Sequence, residues 1–211
     1  MIHKLDENIL KEAVHWLAER DTALARVFRQ YGYPPLWART PGFSTLVHII
    51  LEQQVSLASA NAAFQKLQER LEQVSPEALL TLDDATLRNI GFSRQKITYT
   101  RQLATAVSGG QLDLARLHYL PDEEVREELK RMNGIGDWTA DIYLSECLLR
   151  PDILPKGDIA MQESFRILYN LPSRPAHEEF VEKTRHWQPW RSAATRMLWH
   201  FYLCERNRQV P

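Results

Sequence analysis

Apolar residues recur along most of this chain at the three- and four-residue spacing of an α-helix. In residues 8–21, Ile9, Leu10, Ala13, Val14 and Leu17 share one face. A proline-rich connector, 31–43, follows. Residues 44–71 then read as two helices with a break near 53–56, where the Ser56 hydroxyl can cap the second. Further helical patterns cover 75–82, 83–90, 93–110, 121–132, 137–149, 158–170, 176–187 and 189–207. Proline or an acid opens several of them, and glycine or asparagine closes several. No run alternates with the period of a strand, and no segment repeats. The pattern predicts an all-α fold with short connections.

Composition adds limits. At 211 residues the chain has room for one domain or for two small lobes. Its apolar runs are far too short to cross a bilayer, and its acidic, amphipathic beginning does not fit a secretory signal. An intracellular protein is expected. Cys147 and Cys204 lack CxxC spacing and read as reduced thiols, and the seven histidines are scattered singly, so no zinc site is expected. The net charge of −1 carries no gross nucleic-acid signature. Charge is nevertheless segregated: Arg88, Arg94, Lys96 and Arg101 follow one another with no acid between them, whereas 121–130 is acidic. Such segregation permits a basic face on a neutral protein.

The stretch RMNGIGDWTADIYL, 131–144, carries the candidate chemistry. Leu129 and Met132 end one amphipathic helix, and Trp138, Ile142 and Leu144 belong to the next. Two glycines, Gly134 and Gly136, flank Ile135 in the connection. A single glycine suffices to close a helix, so the pair suggests that the backbone must come close to something. A helix N-terminus without side chains in the way suits a phosphate, and Ile135 would plug the turn into the core. An ordinary helical hairpin fits the local pattern equally well.

Motifs elsewhere narrow the choice. MNGIGDWTA, 132–140, resembles the helix-hairpin-helix of DNA-repair glycosylases, with Met132 and Asn133 in place of the usual leucine and proline. LPKGDIAMQ, 154–162, brings Asp158 to the distance at which that superfamily carries its catalytic aspartate. FSTLVHIILEQQVS, GFSRQKITY and WQPWRSAA resemble three more of its segments, in the same order. The constellation is most similar to the 3-methyladenine DNA glycosylase II branch, in a compact form without the extra N-terminal β-rich domain. The resemblance implies one glycosylase unit over 1–211 with a multi-helix lobe, 35–131. A discontinuous lobe, 1–34 plus 132–211, would hold the hairpin and Asp158.

What the resemblance implies for chemistry is specific. The enzyme would flip an alkylated purine out of double-stranded DNA and hydrolyse its N-glycosidic bond, acting as a monomer with no membrane association. Asp158 would be the catalytic carboxylate, a role compatible with capping the helix that follows it. Trp138 and Trp190, with Gln53 and Ile142, would form the base pocket, where aromatic faces attract a cationic base. Gln54 would be the wedge that fills the vacated gap. Ser93, Lys96, Gly134, Ile135, Gly136 and Thr139 would contact DNA. Bifunctional relatives have a lysine where this sequence has Trp138, so no lyase activity is expected. Two distant cysteines cannot hold an iron–sulfur cluster, and no cofactor is required. The resemblance does allow Na⁺ or K⁺ at the hairpin, held by the backbone carbonyls of Lys130, Met132 and Ile135. Alternatives are a non-catalytic helix-hairpin-helix DNA-binding module and a glycosylase for other damaged purines.

Overall fold

A computed structural model describes residues 4–206. Among these the regular structure is helical throughout, without strands, as the periodicity predicts. The chain divides into two compact units: a discontinuous one, Met1–Ala38 with Leu144–Pro211, and a contiguous one, Arg39–Tyr143. No helix among the described residues is long and apolar enough to cross a membrane.

In the discontinuous unit, α1 (Glu7–Arg20), α2 (Thr22–Tyr31), α10 (Ile159–Leu168) and α12 (Arg191–Glu205) pack together, and α11 (His177–Lys183) lies between the last two in sequence. Leu10, Leu17, Leu24, Met161, Phe165, Trp187 and Met197 are among the residues of its core. The periodicity does not set α2 apart, because only Asp21 separates it from α1. That one residue ends α1 and caps α2, its Oδ1 accepting the Ala23 and Leu24 amides. Its Oδ2 accepts the Trp187 indole N–H at 2.8 Å and also takes Tyr169 and His186. Burial works to raise the Asp21 pKa, but these donors prevail and hold it below the usual carboxylate range. Arg196, fully buried on α12, donates to the carbonyls of Leu36, Ser145 and Ser192 and so fastens the connector to this helix. Burial pushes its pKa down to about 10, against the pull of Glu146.

The contiguous unit is built around α3 (Phe43–Glu52), which buries Leu46, Val47, Ile49, Ile50 and Leu51. Around it pack α4 (Leu57–Arg70), α7 (Arg94–Ser108) and α9 (Asp137–Ile142). The short α5 (Pro76–Leu80) and α6 (Asp84–Ile90) lie against α7, and α8 (Asp122–Lys130) packs on α9. The expected break at 53–56 is present, and Ser56 caps α4. The helix expected over 137–149 instead relaxes into a π-helical turn, Tyr143–Cys147.

The lobe boundaries need correction. Residues 35–38 stay with the discontinuous unit, because Leu36 is bonded to Arg196 and the Trp37 ring meets Trp199 and His200 edge-on. The hairpin, expected in the discontinuous lobe, belongs to the contiguous unit. There the Gln53 amide donates to Gly134 and Thr139, and Arg126 of α8 pairs with Asp141 of α9 at 2.7 Å.

Candidate functional site

The hairpin turn leaves α8 at Lys130 and enters α9 at Gly136. Ile135 is buried, and its N–H donates to the Met132 carbonyl at 3.0 Å, so it plugs the turn as expected. Gly134 has φ +87°, the left-handed region that favours glycine. A Cβ there would stand 2.1 Å from Cδ2 of Tyr99. The first glycine is therefore demanded from inside, by an aromatic ring of α7. The expectation that both glycines clear an approach from outside is corrected to one of them. Gly136 is exposed, and a Cβ on it would meet nothing within 4 Å. It starts α9 without any side-chain cap. Asp137, in the first turn, forms an ion pair with Lys130.

Several predicted site residues also hold the protein's own structure. The Gln53 amide donates to the Gly134 carbonyl at 2.8 Å and to the Thr139 hydroxyl at 2.9 Å, so it clamps the hairpin. Thr139 is buried by that contact, and Ile142 is a core residue with 2% of its surface exposed. Ser93 caps α7, its hydroxyl accepting the Lys96 amide. The Lys96 ammonium points inward and donates to the Leu51 carbonyl at 2.7 Å, and burial lowers its pKa. Gln54 is the exception: it is exposed, at φ +58°, with Val55 and Leu57 exposed after it. Trp138 is half-buried in the first turn of α9.

In the discontinuous unit, Asp158 is buried at the start of α10. Its Oδ1 accepts the Met161 amide at 2.8 Å, so it is a helix cap. The same oxygen faces the indole N–H of Trp199, at 3.3 Å, from α12. Ile159, the next residue, is 64% exposed. Trp190, expected in the pocket, precedes α12 and packs partly buried on the unit's core. Trp199 thus stands beside Asp158. No sequence signal marks this contact: 41 residues separate the partners, and helical spacing gives Trp199 no distinction from its neighbours. A carboxylate fixed by two N–H donors at a helix start can stabilise positive charge developing beside it without reorganising.

A family model described as HhH-GPD superfamily base excision DNA repair protein matches residues 47–189. The Bacillus subtilis protein YfjP is 27% identical over 186 residues, which cover 84% of this chain and 65% of that one. The chain thus spans just under two thirds of that relative's length. A DNA-3-methyladenine glycosylase of Schizosaccharomyces pombe is 29% identical over 161 residues, covering 74% of this chain and 71% of the relative. The solved structure of the S. pombe 3-methyladenine DNA glycosylase in complex with abasic DNA superposes with a TM-score of 0.81 at 27% identity. That match covers 89% of this chain and 95% of the other.

Proposed function

We propose that this chain, which belongs to the HhH-GPD superfamily of base excision DNA repair proteins, is a monofunctional glycosylase for alkylated purines in double-stranded DNA. The observation that carries the reading is Asp158: a buried carboxylate whose Oδ1 takes both the Met161 amide and the Trp199 indole N–H. Breaking an N-glycosidic bond leaves its electron pair on the departing base and positive charge on the sugar. An alkylated purine is already cationic and departs neutral, so no general acid is required. The Asp158 carboxylate stabilises the oxocarbenium-like sugar, and a water adds at C1′ and gives up its proton to the carboxylate or to solvent. Acting on cellular DNA, the protein works inside the cell.

The remaining residues divide between gripping and flipping. Gly136 brings no side chain over the start of α9, which suits close approach of a phosphate. Gln54, outward on a left-handed backbone, suits filling the gap left by an extruded nucleotide. Trp199, whose indole N–H faces the Asp158 carboxylate, offers an aromatic face to the base. Na⁺ or K⁺ at the hairpin fits the donor chemistry, since the carbonyls of Lys130, Met132 and Ile135 are hard oxygens. The Met132 carbonyl accepts one N–H, from Ile135, and keeps a second lone pair. Such an ion would offset phosphate charge when bound.

The test is single-turnover incubation with duplexes carrying 3-methyladenine, 7-methylguanine, 1-methyladenine, hypoxanthine or ethenoadenine. Expected are release of an alkylated base, an abasic strand left intact, and no borohydride-trappable adduct, because Trp138 stands where a lyase would need lysine. Binding to duplex without release from any lesion at saturating protein would overturn the enzyme reading in favour of a DNA-binding module.

A further inference from the structure

The residues that hold the Gln54 turn and those that hold the hairpin are the same small set, all within the contiguous unit. Helix α3 ends at Glu52, where its last carbonyls have no partner within the helix. The Leu51 carbonyl receives the Lys96 ammonium at 2.7 Å, a cation at the negative end of the helix. Tyr99 follows Lys96 by three residues on α7 and so shares its face; its ring lies where a Cβ of Gly134 would be. Gln53 closes the circuit by donating to the Gly134 carbonyl and to Thr139. The next residue, Gln54, sits at φ +58° and is exposed, with Val55 and Leu57 as apolar shoulders 47% and 46% exposed. A non-glycine residue in this region is strained, and such a conformation persists only where its surroundings impose it.

We infer that Lys96, Tyr99 and Gln53 are positioning residues that lock the Gln54 turn to the Gly134 hairpin, so that gripping DNA and wedging it are one mechanical unit. The inference rests on the glycosylase reading for its consequence in catalysis, though not for the coupling itself. Lys96 acts on the flipping step from inside, through the Leu51 carbonyl. Its removal therefore harms substrates in which the target base must be torn from a pair, and spares those in which it is already loose.

Lys96→Met keeps the aliphatic stem and removes the donor. The ratio of excision from a paired duplex to excision from the same lesion in a mismatch should fall about tenfold, an amount within the few kcal/mol that extrusion costs. The salt dependence of duplex binding should stay as in the wild type. A phosphate contact would behave differently, lowering that slope by about one and reducing all substrates alike, and that result would overturn the inference. In a Gln54→Ala background, Lys96→Met should leave the ratio unchanged, whereas additive losses would refute action through the turn. Amide hydrogen exchange needs no activity: residues 53–56 should exchange faster in Lys96→Met, and unchanged exchange there would refute the coupling. Should Lys96→Met melt too low to assay, Gln53→Leu cuts the other strut and carries the same tests. If the wild type releases no base, the glycosylase reading fails while the exchange measurement still decides the coupling.

Discussion

Helix α9 begins at Gly136, which offers no side chain to its first turn, whereas α10 begins at Asp158, whose carboxylate accepts the Met161 amide. Both helices present a positive end, and each unit of the protein owns one of them. At α9 that end is left uncovered by glycine, an arrangement suited to an incoming anion. At α10 it is spent on fixing a carboxylate, an arrangement suited to a cationic sugar. One structural device, with and without a side chain at its tip, suits opposite charges. The supports differ as well. Asp158 is held by a neighbour three residues away and by one distant indole, whereas the hairpin is held by α3 and α7 from 81 and 35 residues away in sequence.

The sharpest way to break this contrast is Asp158→Asn. Asparagine caps a helix about as well as aspartate, so the melting temperature should hold nearly constant. On the glycosylase reading this removes the charge facing the oxocarbenium-like sugar, and base release should fall on the order of 10²–10³-fold while lesion-DNA affinity is kept. Single-turnover kinetics beside equilibrium binding read both quantities. Release at the wild-type rate would leave Asp158 a cap and nothing more.

Next in size is the pair of glycines, which should respond in opposite senses. Gly134→Ala forces a Cβ into the Tyr99 ring from a left-handed backbone and should cost ~2–3 kcal/mol of stability by denaturant melts. Gly136→Asp meets open space and supplies a capping side chain, so stability should hold or rise slightly. Its new negative charge should weaken binding to any duplex, lesion or not, by about tenfold, the size of a 1.4 kcal/mol contact. Loss confined to lesion-bearing duplex would break the assignment of Gly136 to the DNA backbone.

These residues also mark what was legible beforehand. The helices, the break at 53–56 and the Asp158 cap depend on spacings of a few residues, and the sequence carries those spacings openly. Gly134 was recognised as special, but for the wrong reason, because nothing near it in sequence announces Tyr99. The motif around Lys96 points to a phosphate ligand; its bond to the Leu51 carbonyl is a tertiary fact. The lobe boundary went astray for the same cause, since the hairpin's allegiance is decided by Gln53 and not by the chain around it. Long-range packing is what periodicity and motif spacing leave out.

The smallest expected effect concerns Trp199, whose part at Asp158 had no sequence signal at all. Trp199→Phe retains an aromatic face but deletes the indole N–H that meets Oδ1 at 3.3 Å. That distance lies beyond the common range for N–H···O bonds, so the donor contributes less than a short charge-assisted bond would. Base release should slow by about three- to tenfold, which corresponds to roughly 0.7–1.4 kcal/mol. Replacing indole by phenyl also opens space beside Trp37, so a melt must separate lost packing from lost orientation. The discriminating measurement is a double-mutant cycle with Asp158→Asn. If the indole acts by orienting the carboxylate, Trp199→Phe should slow the wild type and leave the already impaired Asp158→Asn variant nearly unchanged. Equal proportional losses in both backgrounds would mean that Trp199 serves the base or the core and does not orient the carboxylate.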